Sequence, residues 1–292
     1  MRREVALGLI VGVGMAMMAG VRAQQAPAGP NVAGIEKVKD NLYLITGGGG
    51  NTAAYIAADG VVLVDTKLAN WGQAILDKVR TVTTKPVTHI INTHTHGDHV
   101  GSNEFFPASV EIIAQANTAA NMARMPAVNG AATKHAMPDR TFTDTITVLS
   151  GADAIDLYYF GAGHTNGDAL VVFRGLRTMH AGDLFPRKGT PLLDMNNGGS
   201  GVQIGETFRK AGARITNVDT VIPGHSDVST WADFEEYGEF NRAFLGAVQA
   251  LIKAGKTADQ ALADLKLPTT FIAYQMTGAK DNVAKIYAEL GK

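Results

Sequence analysis

Residues 94–99 read His-Thr-His-Gly-Asp-His. Three imidazoles and a carboxylate within six positions suit one task above others, the holding of metal, because neutral imidazole and carboxylate are the usual ligands of zinc and similar divalent ions. The spacing adds to this. In an extended segment His94, His96 and Asp98 point to one side, with His99 on the other side or on a turn. One short loop can then present ligands to two adjacent ions. The chain has eight histidines, and three of them lie here, too many for an ordinary polar loop.

Three further segments share this grammar. Gly161-Ala162-Gly163-His164-Thr165, Ala181-Gly182-Asp183 and Pro223-Gly224-His225 each follow an apolar, β-prone run. Each sets one ligand-type residue beside a glycine, which lets backbone turn or approach closely. A lone histidine is more often structural than ligating; the repetition of strand, glycine and ligand carries the joint reading.

The elements that must position these residues follow from hydrophobic periodicity. Strands are predicted at 42–46, 53–58, 61–65 and 87–92, with Asp59-Gly60 as a hairpin signal between the second and third. An amphipathic helix is predicted at 69–82 and another at 114–125, stopped by Pro126. Residues 126–141 read as irregular. A second β-rich half has strands at 146–149, 154–160, 169–173, 178–181 and 220–222. Helices are predicted at 202–215, at 230–254 with a capping-box pattern at its start, and near 257–265 and 280–290. Two similar halves imply two facing sheets with helices outside, and ligands at strand ends in both halves would meet at one edge.

Bulk properties narrow the partners. The 292 residues carry a net charge of −1, so no basic field is available for nucleic acid. There is no cysteine, hence no thiolate ligand and no thiol nucleophile. Arg2 and Arg3, the apolar stretch 5–21 and Val21-Arg22-Ala23 read as a secretory signal over 1–23. A membrane anchor is the competing reading, since the run approaches spanning length. Its glycine content and the lack of a following charge cluster favour cleavage, leaving no stable anchor and a periplasmic or secreted protein. Residues 24–34 read as a flexible leader, and 35–292 as the catalytic domain.

On Thr93-His94-Thr95-His96-Gly97-Asp98-His99, Gly163-His164-Thr165, Gly182-Asp183, Gly224-His225 and Asp65, the chain resembles the metallo-β-lactamase fold superfamily of metallohydrolases, over about residues 35–230. The resemblance implies an α/β fold, a four-layer αββα sandwich with a two-metal site at one edge. It implies that His94, His96 and His164 hold one ion, that Asp98, His99 and His225 hold a second, and that Asp183 bridges them. Two divalent ions, zinc by expectation, about 3.5–4 Å apart share a water and lower its pKa towards about 7. Asp98 is then the catalytic residue, ligating one ion and orienting the hydroxide. Asp65 reads as an acceptor for a ligand histidine's free N–H, or equally as a strand-end or capping residue. His89, His135 and His180 fall outside the pattern.

Substrate is less legible, because metal ligands specify hydrolysis better than what is hydrolysed. Residues 47–52, Gly-Gly-Gly-Gly-Asn-Thr, read as a loop flexing over the metals. The amides of 196–201, with the helix that follows, read as a receiver for a carboxylate or oxyanion, and Arg187 and Lys188 as added positive charge. Flexible turns and solvated charges are the competing readings. The β-lactam hydrolases of the resembling family generally carry cysteine or serine where Asp183 lies. The expectation is therefore a dinuclear zinc hydrolase opening an ester, lactone or lactam in a small molecule. The alternatives are a β-lactamase proper, an iron-dependent redox member of the fold, and a metal-stabilised binding protein.

Overall fold

The computed structural model describes residues 33–125 and 133–291. The expected signal over 1–23 lies outside the described residues, as does the leader up to residue 32. Ala33 and Gly34 do not belong to a leader: Ala33 is buried and Gly34 opens the first strand.

The first sheet has seven strands in sequence order: β1 (Gly34–Lys39), β2 (Leu42–Thr46), β3 (Thr52–Ile56), β4 (Val61–Val64), β5 (Val87–Asn92), β6 (Glu111–Gln115) and β7 (Arg140–Phe142). β1 to β4 form an antiparallel meander, and β4 to β7 run parallel. The second sheet has six: β8 (Thr145–Val148), β9 (Ile155–Tyr158), β10 (Leu170–Phe173), β11 (Thr178–Gly182), β12 (Thr220–Pro223) and β13 (Ser229–Thr230), parallel only between β11 and β12. The helices are α1 (Gly72–Arg80), α2 (Gly97–Val100), α3 (Ala116–Met122), α4 (Ile204–Arg214), α5 (Trp231–Lys253), α6 (Ala258–Asp264) and α7 (Ala279–Glu289).

Alternation along the strands sorts side chains into three cores, and the cores define four layers. Leu63, Ile90 and Ile112 face α1, against Ile75 and Val79. Their strand neighbours Val62, Val64, Ile91 and Ile113 face the other sheet, meeting Leu157, Val171 and Ile222. Val172, Met179 and Val221 point outward from the second sheet onto Phe208, Phe234, Phe240, Val248 and Ile286 of the helices. The order is helix, sheet, sheet, helix, as expected. Strands apolar on both faces, such as β4, are those covered on both sides. Each fully buried Val, Leu, Ile or Phe contributes about 1.5–3 kcal/mol. Among the described residues no helix is long and apolar enough to cross a membrane.

Three local expectations need correction. Residues 114–125 are not one helix. Ile112, Ile113 and Ala114 extend as β6 between β5 and β7, and the helix starts only at Ala116, where Gln115 caps it by accepting from the Asn117 amide. β-branched residues at a central parallel position outweigh the helical pattern that follows them. β1, of which only Gly34 falls in the expected leader, and β7, which falls largely in the expected irregular stretch 126–141, are strands that the sequence pattern does not predict. The ligand segment 94–99 is not extended throughout: β5 ends at Asn92, His96 is the extended residue before a helical turn, and the amides of His99 and Val100 bond the His96 carbonyl.

Candidate metal centre

Four ligand-bearing segments leave the strands at one edge. β5 leads to His94, β11 to Asp183, β12 to His225, and the loop after β9 to His164. The donor atoms of His94, His96, His164 and Asp183 all lie within 4.8 Å of one another, and so do those of Asp98, His99 and His225. All seven expected residues are thus brought together, in the two groups expected. Asp183 stands between the groups. Its Oδ2 is 3.7 Å from His164 Nε2 and 3.2 Å from His225 Nε2, and its Oδ1 is 3.3 Å from His99 Nε2. Gly224 makes this possible, since a Cβ there would lie 1.9 Å from Asp183 Oδ1.

Hydrogen bonds assign the ring nitrogens. A carbonyl or carboxylate can only accept, so the nitrogen facing it carries the proton. His164 Nδ1 donates to the Leu192 carbonyl (2.5 Å), His96 Nε2 to Asp194 (2.7 Å) and His99 Nδ1 to Asp65 (2.7 Å). Thr93 Oγ1 gives its own hydrogen to Asp65 (2.7 Å) and so accepts from His94 Nδ1 (3.0 Å). In the neutral rings the remaining nitrogens are bare lone pairs aimed at each other. His164 Nε2 and His96 Nδ1 are 2.9 Å apart, and His94 Nε2 is buried without a hydrogen-bond partner. Lone pairs crowded in this way need a cation between them. The first group therefore fits a divalent ion; in the second, His99 Nε2 and His225 Nε2 lie 3.3 Å apart beside the Asp98 and Asp183 carboxylates, a donor set that fits an ion once those rings give up their protons.

Electrostatics agree. Burial and the neighbouring His99 and His164 hold His94 well below its ordinary range, and burial lowers His164 to about 4. These rings stay neutral, as ligands must. Burial opposes charge on His99, but the Asp183 and Asp65 carboxylates override it and raise its pKa well above the ordinary value. Hydrogen bonds to Asp183 and Asp98 raise His225 to about 9. Burial would raise the Asp183 carboxyl, yet His99 and His225 keep it well below the carboxylate range. The carboxylates there demand positive charge, from protons or from metal.

Asp65 is an acceptor for ligand rings rather than a mere cap. Its carboxylate takes the Thr93 amide (2.8 Å), the Thr93 hydroxyl and the His99 ring, which ties one ring of each group to one residue. Asp65 and Lys67 both have φ of +64°, a strained region for non-glycine residues that costs on the order of 1–3 kcal/mol each.

Several participants were missed. Asp194 and the Leu192 carbonyl follow no spacing rule in the sequence. Asn51, read as part of a loop flexing over the metals, is buried; its amide and side chain bond the carbonyls of Gly224, Pro223 and Ser226. Gly50 packs its backbone on the His99 ring, where a Cβ would come within 2.2 Å. Lys67 is fully buried and donates to the Gly50 carbonyl (2.7 Å). His180, outside the metal set as expected, braces it: Nε2 donates to the Asn51 carbonyl (3.2 Å) and Nδ1 accepts from the Gly182 amide (3.1 Å).

The expected oxyanion loop is not available. The amides of Asn196, Asn197 and Gly199 are spent on Asp194, those of Gly198 and Ser200 on the Met195 and Gly163 carbonyls, and that of Gly201 on Glu289. Lys188 is likewise engaged, with Asp233 (2.7 Å) and Glu236 (3.5 Å).

A family model described as metallo-beta-lactamase superfamily matches residues 45–225. The metallo-beta-lactamase type 2 of Elizabethkingia meningoseptica is 24% identical over 213 residues, covering 68% of this chain and 80% of that protein. The metallo-beta-lactamase structure from Pontibacter korlensis superposes with a TM-score of 0.63 at 19% identity, over 72% of this chain and 99% of that one. The inverting sec-alkylsulfatase Pisa1 from Pseudomonas sp. gives a TM-score of 0.76 at 14% identity, over 88% of this chain but only 50% of its own. At these identities the two structures speak for the fold.

Proposed function

The chain belongs to the metallo-beta-lactamase superfamily, and from that premise we propose that it is an exported dinuclear zinc hydrolase that opens an ester, lactone or lactam bond in a small molecule. The observation that carries this reading is the convergence of seven imidazole and carboxylate side chains in two groups with Asp183 between them, the first group turning bare ring nitrogens inward. His94, His96 and His164 would hold one ion, Asp98, His99 and His225 the other, with Asp183 shared. Zinc is proposed because the set is all imidazole and carboxylate. Export, to the periplasm or beyond the cell, rests on the signal-like residues 1–23.

Bound divalent ions supply an acidified water and a Lewis acid for the scissile carbonyl. The protein's own groups do the rest. Asp98, partly exposed and within 3.3 Å of His225, is placed to take and orient the proton of the attacking solvent molecule. Its pKa is lowered: burial alone would raise it, but the His225 hydrogen bond and His99 override that, so it is ionised at neutral pH. Asp183 offsets repulsion between the cations. Asp65, Asp194 and the Leu192 carbonyl fix the ring directions.

A β-lactam is the second reading, supported by the name of the Elizabethkingia relative. The test joins elemental analysis of the mature protein to an assay panel of ester, lactone, thioester, β-lactam and secondary alkyl sulfate, with Asp98→Ala as control. Two zinc ions per chain and turnover of an ester, lactone or lactam are expected. The control should lose about 10²–10⁴ in turnover, the usual contribution of a proton-handling side chain, with little loss of folding stability. Full metal occupancy with no turnover across the panel would overturn the hydrolase reading, and iron in place of zinc would overturn the choice of metal.

A further inference from the structure

Two ligands of the first group, His96 and His164, take their direction from one connecting segment. Leu192 accepts from His164, and Asp194 accepts from His96. The Asp194 amide also returns to the His164 carbonyl (2.8 Å). What holds this segment comes from the far end of the chain, outside the residues matched by the family model. Lys285 Nζ donates to the Leu193 carbonyl (2.7 Å), between the two orienting acceptors. The Glu289 carboxylate accepts from the Ser200 hydroxyl (2.5 Å) and the Gly201 amide (2.7 Å), while the Ser200 amide bonds the Gly163 carbonyl beside His164. Gly201 lies flat on α7: a Cβ there would come within 2.7 Å of Ile286 and 2.8 Å of Leu193. Upstream, the Thr190 amide bonds the Gln275 carbonyl and the Gly278 amide bonds Thr190 Oγ1.

We infer that Lys285 and Glu289 are positioning residues for the first ligand group, gripping the segment that orients His96 and His164. The inference rests on the metal reading above. Orienting partners of a ligand typically change metal affinity about 10–100-fold when lost, and a carbonyl orients a ring only if its own peptide is held. The second group draws on other supports, Asp65, Gly50 and Asn51, none of them bonded to α7 among the described residues. A grip on one group and not the other is the distinguishing claim.

The test uses the full chain with Lys285→Met and Glu289→Ala, which leave the buried Val283 and Ile286 in place, and with Lys285→Arg and Glu289→Gln, which keep hydrogen-bonding groups. Zinc affinities are read by competition with a chromophoric chelator. Cobalt-loaded protein gives hyperfine-shifted imidazole N–H signals in NMR. Lys285→Met and Glu289→Ala should each weaken one of the two affinities about tenfold, move the His96 and His164 signals and leave the His99 signal in place. The conservative variants should restore most of the loss. Equal weakening of both ions, no weakening of either, or a shift confined to the His99 signal would overturn the inference. Wild-type protein that takes up no ions would overturn the metal reading itself, and this inference with it.

Discussion

The two ligand groups share residue types and differ in their surroundings. In the first, His94 and His164 are 1% and 0% exposed, only the His96 side chain reaches solvent, at 20%, and each ring's outer nitrogen is committed to a protein acceptor. In the second, the Asp98 and His225 side chains are 29% and 25% exposed, and a carboxylate takes the place of one imidazole. The first group is the more enclosed, with every ring braced; the second has one buried ring, His99, and opens to solvent on the side where Asp98 can handle a proton. A pair of similar sites can thus be divided between holding and working by burial together with one exchange of imidazole for carboxylate. Chain order follows the division in part: α7 bonds the segment that faces His96 and His164, residues 50–67 surround His99, and Asp65 reaches both groups.

The comparison breaks most completely at Asp183, the side chain that faces both groups. Asp183→Ser should cost one ion more than the roughly 10–100-fold typical of an orienting partner, with turnover falling alongside. Equilibrium dialysis with elemental analysis reads this, and unchanged stoichiometry and activity would remove Asp183 from its place between the groups.

Asp65→Asn tests whether the groups are separable. Its new amide would face the Thr93 hydroxyl and the His99 N–H, donor against donor, so both affinities should fall, each about tenfold. Loss confined to one ion would show that the Thr93 relay to His94 carries no weight.

A smaller effect is expected at Lys67, which belongs to the surroundings of the open group. Burial lowers its pKa from the ordinary 10.5 to about 7. Between those values the unfolded chain binds a proton that the folded chain does not. This contribution to stability therefore grows as pH rises from 7 to 10.5 and is lost as pH falls back to 7. Lys67→Met should flatten that slope in urea unfolding across the window. An unaltered slope would mean that the amine is not titrating there.

Much of this was readable from the chain. His94, His96, Asp98 and His99 sit close in sequence, and His164, Asp183 and His225 share a strand-and-glycine setting, so local pattern was enough to find them. The α5 capping box at Thr230 and Asp233 was legible for the same reason and is present. What stayed hidden depends on contacts between distant residues. Nothing around Leu192 or Asp194 announces that they will meet His164 and His96, because the first acts through backbone and the second lies 98 positions from its partner. β6 was obscured because its apolar residues run directly into the start of α3, and periodicity alone does not divide a strand from the helix that continues it.

Asp65 has one more implication. Through Thr93 and directly, a single carboxylate sets the tilt of a ring in each group. Turning that carboxylate therefore turns a ring on both sides at once, so disorder at Asp65 spreads to the whole centre and not to half of it.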